Sequence, residues 1–309
     1  MFRVKGDWLR RLDKRIPVKT ARGDGACPLL RSGNGFEASS ITLESPVNPV
    51  RIAIHGAAGR MGQRLIALAA DDGQLELVAA LELPGHPRLG EDAGQIAGVG
   101  SLGVSLADSF AAPIDVMIDF SLPEGAVAIA ATCRKRNIPL VVATTGLEPA
   151  QAEAVKAAAA DIPLLWAPSM SLAVNLTMKL AAVAAGALKD QDADVEILER
   201  HHRFKADAPS GTALAFGRVI AERMGQTGAR HGREGRIGAR PHGEIAYHAI
   251  RTGDNAGEHT IVFGMLGETI ELTVRASNRD CYAKGALAAA KFLVGRPAGA
   301  YTMADVLGL

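Results

Sequence analysis

The apolar residues of this chain follow two patterns, and one pattern gives way to the other near residue 172. From Val50 to that point, short uninterrupted apolar runs alternate with stretches whose apolar positions lie three or four residues apart. The short runs are typical of strands buried on both faces, and the wider spacing is typical of amphipathic helices. Regular alternation of the two predicts a parallel sheet covered by helices on both faces. The predicted strands are VRIAIHG, LELVAALE, IDVMIDF, IPLVVATTG and IPLLWAPS.

After a predicted helix over 172–189, single apolar residues alternate with polar ones, as in strands that bury only one face. The last two of these strands are separated by little more than Gly267, which predicts a tight hairpin. Such strands predict a second, open and mostly antiparallel sheet. The alternating segments are DVEILERHH, EIAYHAIRTG, GEHTIVFGML and ETIELTVRAS.

Helical spacing returns at the end of the chain, and we expect these last helices to pack on the parallel sheet. We therefore predict an α/β protein in which residues 50–172 and 282–309 form a dinucleotide-binding domain. Residues 173–281 would form a smaller α+β domain with an open mixed sheet that binds substrate.

Residues 1–49 differ from the rest of the chain, since they are basic, interrupted by Gly and Pro, and only weakly periodic. We expect an appended, disordered extension. No apolar core follows the basic residues, which argues against a secretory signal. A targeting segment and a misassigned start remain alternatives.

Composition narrows the class of function. The 309 residues carry 34 Lys and Arg against 33 Asp and Glu, a net charge of +1, and only 4% are aromatic, so nothing favours a nucleic-acid partner. No apolar run reaches the ~20 residues that a membrane span needs, and we expect no membrane partner. The three cysteines are far apart and form no CxxC motif, which favours unpaired thiols and a reducing, cytoplasmic location. They are Cys27, Cys133 and Cys281.

A glycine motif joins the first predicted strand to the first predicted helix. In HGAAGRMG, Gly56, Gly59 and Gly62 are spaced so that backbone N–H groups and a helix N-terminus can approach a pyrophosphate. An ordinary tight turn would use the same glycines. However, Glu82 follows 20 residues after Gly62 at the end of the second strand, where an acid that binds the ribose hydroxyls is expected. Together these features favour a nicotinamide cofactor.

The ends of the later strands should line the same crevice, in the segments ATTG and APSM. Leu83 follows Glu82, so no cation stands beside the acid to meet a 2′-phosphate, which favours NADH weakly. Arg60 or Arg88 would still allow NADPH.

Positive charge is concentrated in RHHRFKADAPSGTAL, just before a predicted helix start. The Pro and Ser before the helix are typical of its first turn, and the bare N–H groups there form an anion site. Histidine and lysine upstream of it suit a small ligand with one or more carboxylates. A solvated basic loop is the alternative. We expect no metal, because adjacent histidines on a strand point apart and no third ligand is near.

The chain resembles the dihydrodipicolinate reductase family over residues 50–309. The resemblance lies in GAAGRMG, in ERHHRFKADAPSGTAL, which is highly specific, and in RTGDNAGEHT, with support from IDFSLPEG and SMSLAVN. It implies a Rossmann-like domain, a mixed-sheet domain for substrate and oligomerisation, and a homotetramer. The implied reaction is NAD(P)H-dependent reduction of a cyclic dicarboxylate, 4-hydroxy-tetrahydrodipicolinate, with loss of water, in diaminopimelate and lysine biosynthesis.

The resemblance also implies roles for individual residues. His201 and Lys205 would be catalytic, and His202, Gly211 and Thr212 would bind the substrate carboxylates. The family commonly differs from this chain at Ala143, Ser169 and Leu83, which leaves the preference between NADH and NADPH open. The implied cofactor-binding residues are Gly56, Ala57, Ala58, Gly59, Arg60, Met61, Glu82, Ala143, Thr144, Thr145, Ala167, Pro168, Ser169 and Met170.

Two rival functions share part of this pattern. Another two-domain NAD(P)-dependent reductase would share the glycine motif, although it would not need the anion site. A non-catalytic nucleotide sensor would bind the cofactor without turnover and leave the His/Lys cluster without a role.

Overall fold

The computed structural model describes residues 48–309. The predicted extension over residues 1–49 therefore lies outside the described residues, apart from its last two positions. Within the described part there are eight α-helices and twelve strands, and the strands form two sheets. The helices are α1 Arg60–Ala70, α2 Ala93–Ala97, α3 Pro123–Arg136, α4 Pro149–Lys156, α5 Leu172–Leu188, α6 Gly211–Met224, α7 Asp280–Leu293 and α8 Met303–Leu307.

The first sheet has seven parallel strands in the order β12-β6-β5-β4-β1-β2-β3. The chain runs outward from β1 to β3 and then returns to β4 on the other side of β1, so the strand order reverses between β1 and β4. Ligands of such sheets bind at the carboxyl ends of the strands at this point. The strands are β1 Val50–His55, β2 Leu75–Leu81, β3 Leu106–Ala107, β4 Val116–Asp119, β5 Leu140–Val142, β6 Pro163–Trp166 and β12 Gly299–Tyr301.

Helices cover both faces of this sheet, because its strands are apolar on both sides. One apolar core, which includes Ile54 and Leu65, joins the sheet to α1, α7 and α8. The other, which includes Met117 and Cys133, lies under α3 and α4.

The second sheet has five strands in the order β11-β10-β7-β9-β8. Two of its four pairings are parallel, so its antiparallel share is smaller than the alternation predicted. The reason is two crossovers, since α6 carries the chain from β7 to β8 and residues 232–243 then carry it back to the start of β9, so that β7, β8 and β9 run parallel. The strands are β7 Asp194–His201, β8 Gly228–His231, β9 Glu244–Arg251, β10 Glu258–Met265 and β11 Glu268–Arg275.

One face of the second sheet packs against α5 and α6, with Phe216 and Phe263 fully buried between them. β10 and β11 are joined by the tight turn predicted at Gly267, whose φ of +97° favours glycine. The parallel sheet and the second, mixed sheet confirm the predicted fold class. The short elements α2, β3, β8 and β12 were not predicted. Among the helices of residues 48–309, none combines the length and the hydrophobicity that a membrane span requires.

Candidate active site

At two positions around the loop between β1 and α1, the backbone passes so close to its neighbours that only glycine fits. A Cβ on Gly56, whose φ is +79°, would lie 2.6 Å from the carbonyl oxygen of Phe120 at the end of β4. A Cβ on Gly62 would collide with the Gly56 carbonyl oxygen. Gly59 precedes α1 without a side-chain cap, and the first turn of α1 holds no acid. The N–H groups of that turn therefore have no side-chain cap. This geometry fits the pyrophosphate of a dinucleotide.

Glu82 lies directly after β2, and its Oε1 accepts a hydrogen bond from the Ala58 N–H at 3.1 Å. The carboxylate is therefore attached to the glycine loop and lines a cleft of about 430 Å³ together with Gly56 and Gly59. A strand-end acid beside a glycine loop is placed to bind ribose hydroxyls.

A larger cleft of about 810 Å³ runs past the ends of β5 and β6. It is lined from the first sheet by Arg60, Met61, Ala143, Pro168, Ser169 and Met170, and from the other side by His202, Asp254, Ala256, Asn278 and Arg279. The structure therefore brings six of the predicted cofactor residues and one of the predicted substrate residues to one cavity.

Ser169 has a buried hydroxyl oxygen without a hydrogen-bond partner among the described residues. Because a buried polar atom without a partner is costly, its position in the cleft fits a polar ligand group such as the nicotinamide carboxamide. Thr144 does not line either of these clefts, since its hydroxyl donates to Asp119 at 2.6 Å. Thr145 is exposed, and Ala57 and Ala167 are buried beside the cleft without lining it.

Asp119 is a buried residue that the sequence analysis did not single out as part of the site. Its carboxylate is fully buried and binds His55 Nδ1 at 2.7 Å, in addition to hydroxyls of Ser121 and Thr144, each at 2.6 Å. These bonds tie together the ends of β1, β4 and β5. An acid at the end of the apolar run IDVMIDF was the available signal, because a buried charge is rare unless it is paired.

His201 ends β7 and is buried, with Nδ1 2.6 Å from Glu199 Oε2. Both side chains point to the inner face of the sheet because they are two residues apart on a strand. Arg251 of β9 donates to both Glu199 oxygens at 2.7 Å, and the Ser210 N–H donates to Oε1 at 3.1 Å. Glu199 is fully buried, so these four hydrogen bonds compensate its charge.

The environment shifts the pKa values in this cluster. Burial lowers the pKa of His201, and the positive charges of Lys205 and Arg251 add to that effect against the opposing pull of Glu199. Burial also lowers the pKa of His259, whose Nε2 lies 3.0 Å from Ser210 Oγ, to about 4. For Glu199, burial acts to raise the pKa, but the hydrogen bonds from Arg251 and His201 outweigh it and lower the pKa.

Lys205 lies in the turn before α6, with Nζ 2.7 Å from Asp207 Oδ1. The hydrogen bond from Lys205 lowers the pKa of Asp207, and the Gly211 N–H at the start of α6 adds to this effect. Ser210 caps α6 by accepting from Ala213 N–H at 3.2 Å. A carboxylate of the chain itself thus lies between the lysine and the helix N-terminus.

The predicted substrate residues differ in their relation to the larger cleft. His202 lines it, and its Nδ1 is buried without a partner among the described residues. His201, Lys205, Gly211 and Thr212 do not line it. The lining residues that the sequence analysis missed include Arg279, which precedes α7, and Arg64 of α1, which binds Asp280 at 2.7 Å. No pattern links α1 and α7 in the sequence, because they meet only in the folded chain.

Groups of three or more His, Cys, Asp or Glu that could hold a metal ion do not occur among residues 48–309.

Comparisons with known proteins agree with this geometry. The model for the N-terminus of dihydrodipicolinate reductase matches residues 50–170, and the model for its C-terminus matches residues 173–307. A 4-hydroxy-tetrahydrodipicolinate reductase of Rhodopirellula baltica is 55% identical over 277 residues, which cover 86% of this chain and 99% of the relative. A protein of the same name from Alkalilimnicola ehrlichii is 50% identical over 265 residues, 84% of this chain and 99% of the relative.

Solved structures show the same relationship. Dipicolinate-bound dihydrodipicolinate reductase from Paenisporosarcina sp. TG-14 matches with a TM-score of 0.67 and 26% identity, covering 83% of this chain and 98% of that one. An amine dehydrogenase from Mycobacterium smegmatis, at 13% identity and a TM-score of 0.58 over 84% of this chain and 96% of that one, shares the fold alone. The resemblance found in the sequence is confirmed: the chain belongs to the dihydrodipicolinate reductase family and is an NAD(P)H-dependent oxidoreductase.

Proposed function

We propose that this chain reduces 4-hydroxy-tetrahydrodipicolinate to tetrahydrodipicolinate, with loss of water, in diaminopimelate and lysine biosynthesis. NADH or NADPH is the reductant. The observation that carries the proposal is the larger cleft, where His202 of the substrate segment faces residues that follow the strands of the first sheet.

In this proposal the cofactor lies along the carboxyl ends of β1, β2, β5 and β6. The glycine loop over residues 56–61 holds the pyrophosphate, and Glu82 binds the adenosine ribose. The segments 143–145 and 167–170 hold the nicotinamide through the four of their residues that line the larger cleft, Ala143, Pro168, Ser169 and Met170. The unpartnered hydroxyl of Ser169 supports that placement. When bound, the reduced nicotinamide supplies the hydride.

The substrate carboxylates are held by Lys205, His202 and the first amides of α6, at Gly211 and Thr212. The position of Asp207 supports this assignment, because its carboxylate forms an ion pair with Lys205 and its pKa is lowered further by the Gly211 N–H. A helix N-terminus together with a cation binds such a group well. The substrate carboxylate would displace Asp207 from the lysine.

His201 or Lys205 supplies the proton that completes the reduction. Glu199 orients the imidazole of His201 through Nδ1 and leaves Nε2 as the atom that exchanges the proton. The lowered pKa of His201 makes its protonated form a stronger proton donor.

The division of the described chain follows from this assignment. Residues 50–172 and 282–309 hold the cofactor, and residues 173–281 hold the substrate and form the contacts of a homotetramer. Leu198 and Ile250, apolar side chains exposed on the second sheet, support an interface there. A cytoplasmic location is part of the same proposal.

Full-length protein incubated with freshly generated substrate should oxidise NADH or NADPH, seen as loss of absorbance at the reduced-nicotinamide band. Dipicolinate, a planar dicarboxylate, should inhibit competitively with substrate. Cofactor binding without oxidation of either nucleotide would instead favour the non-catalytic sensor. Oxidation of either nucleotide with an amino acid or sugar substrate, and not with 4-hydroxy-tetrahydrodipicolinate, would favour a reductase of another substrate class.

A further inference from the structure

The segment RTGDNAGEHT holds none of the residues assigned to the proposed reaction, although it borders His201. Arg251 ends β9 and lies opposite His201, because β9 pairs in parallel with β7. Gly257 precedes β10 with a φ of +149°, and a Cβ there would lie 3.0 Å from His201 Nε2. His259 follows on β10, and its ring meets that of His201 edge-on with the centroids 5.2 Å apart. The segment therefore contacts the histidine that would transfer the proton.

His259 occupies a buried position between β7 and α6. The antiparallel pairing of β10 with β7 places His259 opposite Glu199, which is fully buried. The ring centroid of His259 lies 5.9 Å from that of Phe216 of α6. Only 4% of His259 is exposed, so bulk water does not hydrate its ring. The hydrogen bond that this ring makes to the protein is therefore the feature that matters.

That hydrogen bond joins His259 to the residue that caps α6. Nε2 of His259 lies 3.0 Å from Ser210 Oγ, and the same oxygen accepts from the Ala213 N–H at 3.2 Å. Burial lowers the pKa of His259 to about 4, so the ring is neutral near pH 7 and can accept at Nε2. The Ser210 hydroxyl can then donate to His259 while its oxygen caps the helix.

Ser210 stands between the two halves of the proposed reaction. Its N–H donates to Glu199 Oε1 at 3.1 Å, and Oε2 of the same carboxylate lies 2.6 Å from His201 Nδ1. On its other side, Ser210 directly precedes Gly211 and Thr212, whose amides would hold a substrate carboxylate. The position of Ser210 therefore affects the direction of those amides.

We propose that His259 is a positioning residue, which acts through Ser210 to fix the first turn of α6 in the orientation that binds a carboxylate of the substrate. This proposal rests on the proposed function, because that turn is a binding site only if the substrate is a carboxylate. His259 itself touches neither substrate nor cofactor in this role.

Two amide variants of different length test the proposal. The amide of His259→Gln reaches the place of Nε2 and can still pair with Ser210 Oγ, whereas the amide of His259→Asn ends at the place of Nδ1. Calorimetric titration of the full-length protein with dipicolinate, at saturating NADH, should show binding about fivefold weaker in His259→Asn, the factor for loss of one neutral hydrogen bond. His259→Gln should restore the affinity to within about twofold of the unaltered chain.

Steady-state kinetics should separate binding from chemistry. In His259→Asn the KM for substrate should rise about fivefold, while kcat and the dissociation constant for NADH stay within about twofold. His242→Asn makes the same change at an exposed histidine that lines neither cleft, and it should alter none of these values.

A double-mutant cycle asks whether His259 acts through Ser210. Ser210→Ala should also weaken dipicolinate binding, and adding His259→Asn to it should cause little further loss, because the hydroxyl is already gone. Losses that add in the double variant would overturn the proposal, since His259 would then act by another route.

The remaining outcomes distinguish this inference from the proposed function. Unchanged dipicolinate affinity in His259→Asn, or an equal loss in the Asn and Gln variants, would overturn the positioning role while leaving the reductase function intact. An unaltered chain that binds NADH and dipicolinate but oxidises no NADH with substrate would overturn the proposed function alone. An unaltered chain that does not bind dipicolinate would overturn both.

Discussion

The two sheets each contain a histidine bound through Nδ1 to a fully buried carboxylate, and the two pairs differ in what else the carboxylate binds. His55 and Asp119 lie 2.7 Å apart at the end of the first sheet, where the remaining partners of Asp119 are two neutral hydroxyls. His201 and Glu199 lie 2.6 Å apart in the second sheet, where Arg251 neutralises the carboxylate.

This difference separates a structural clamp from the proposed proton-transfer site. Around Asp119, His55 and two hydroxyl groups satisfy the carboxylate and tie three strand ends together beneath the proposed nicotinamide position. Around Glu199, charged groups act in opposite directions on the pKa of His201. Burial, Lys205 and Arg251 lower this pKa, whereas Glu199 raises it. The ring of His259 lies beside the same imidazole. A histidine paired with a buried carboxylate thus holds strand ends together in the first sheet, whereas in the second sheet it shifts the pKa of His201.

The largest expected effect comes from removing Lys205, whose positive charge acts on His201. Lys205→Ala should lower kcat by about 10²–10⁴-fold, the range for loss of a proton donor or a transition-state charge contact. The dissociation constant for NADH, measured by calorimetry, should not change. Lys156→Ala is the control, since Lys156 forms a comparable ion pair with Glu153 at 2.8 Å on the surface of α4. Normal turnover in Lys205→Ala would remove Lys205 from the proposed site.

Removal of the partner of each carboxylate should have unequal effects on stability. Arg251→Leu leaves Glu199 buried with too few donors and should lower the free energy of unfolding by about 3–5 kcal/mol. Ser121→Ala leaves Asp119 two of its three side-chain donors and should cost about 1 kcal/mol. Urea denaturation of both variants measures the difference. Equal losses would show that the two carboxylates are compensated in the same way.

The second cluster should also make stability depend on pH. The pKa of His259 is about 4 in the folded chain, below the ~6.5 of an unfolded one, so the unfolded state binds the proton first. Stability should therefore fall as pH drops below about 6.5, by roughly 3 kcal/mol at pH 4 from this group. His259→Gln should flatten that part of the curve, measured by urea denaturation from pH 7 to pH 4. A slope that the variant leaves unchanged would assign the acid sensitivity to another group.

The parts of these clusters that are local in the chain can be predicted from the sequence. Gly56, Gly59 and Gly62 lie within seven residues, and His201 and Lys205 lie in one short segment, so motif and spacing were enough to select them. The alternation of β7 even places Glu199 on the buried face with Val195 and Ile197.

The partners of those residues could not be read from the sequence. Arg251 faces His201 because β9 pairs in parallel with β7, a register that depends on the α6 crossover. Thr144 and His55 meet Asp119 because β5 and β1 flank β4 in the sheet. The pattern of a single strand specifies which face is buried, whereas the neighbour of that strand is set by the packing of the whole sheet.

The smallest effect we predict distinguishes the two carboxylates by pH rather than by stability. Glu199 raises the pKa of His201 against burial, so Glu199→Gln should lower that pKa further and leave Arg251 as an additional repelling charge. In the plot of kcat against pH, the limb that reflects the ionisation of His201 should then move to lower pH, by about one unit or less. Asp119→Asn should weaken NADH binding by loosening Thr144 while leaving the position of that limb unchanged, because no reacting group lies beside it. A profile that shifts equally in both variants would mean that the first pair handles protons as well, and the contrast between clamp and proton site would be wrong.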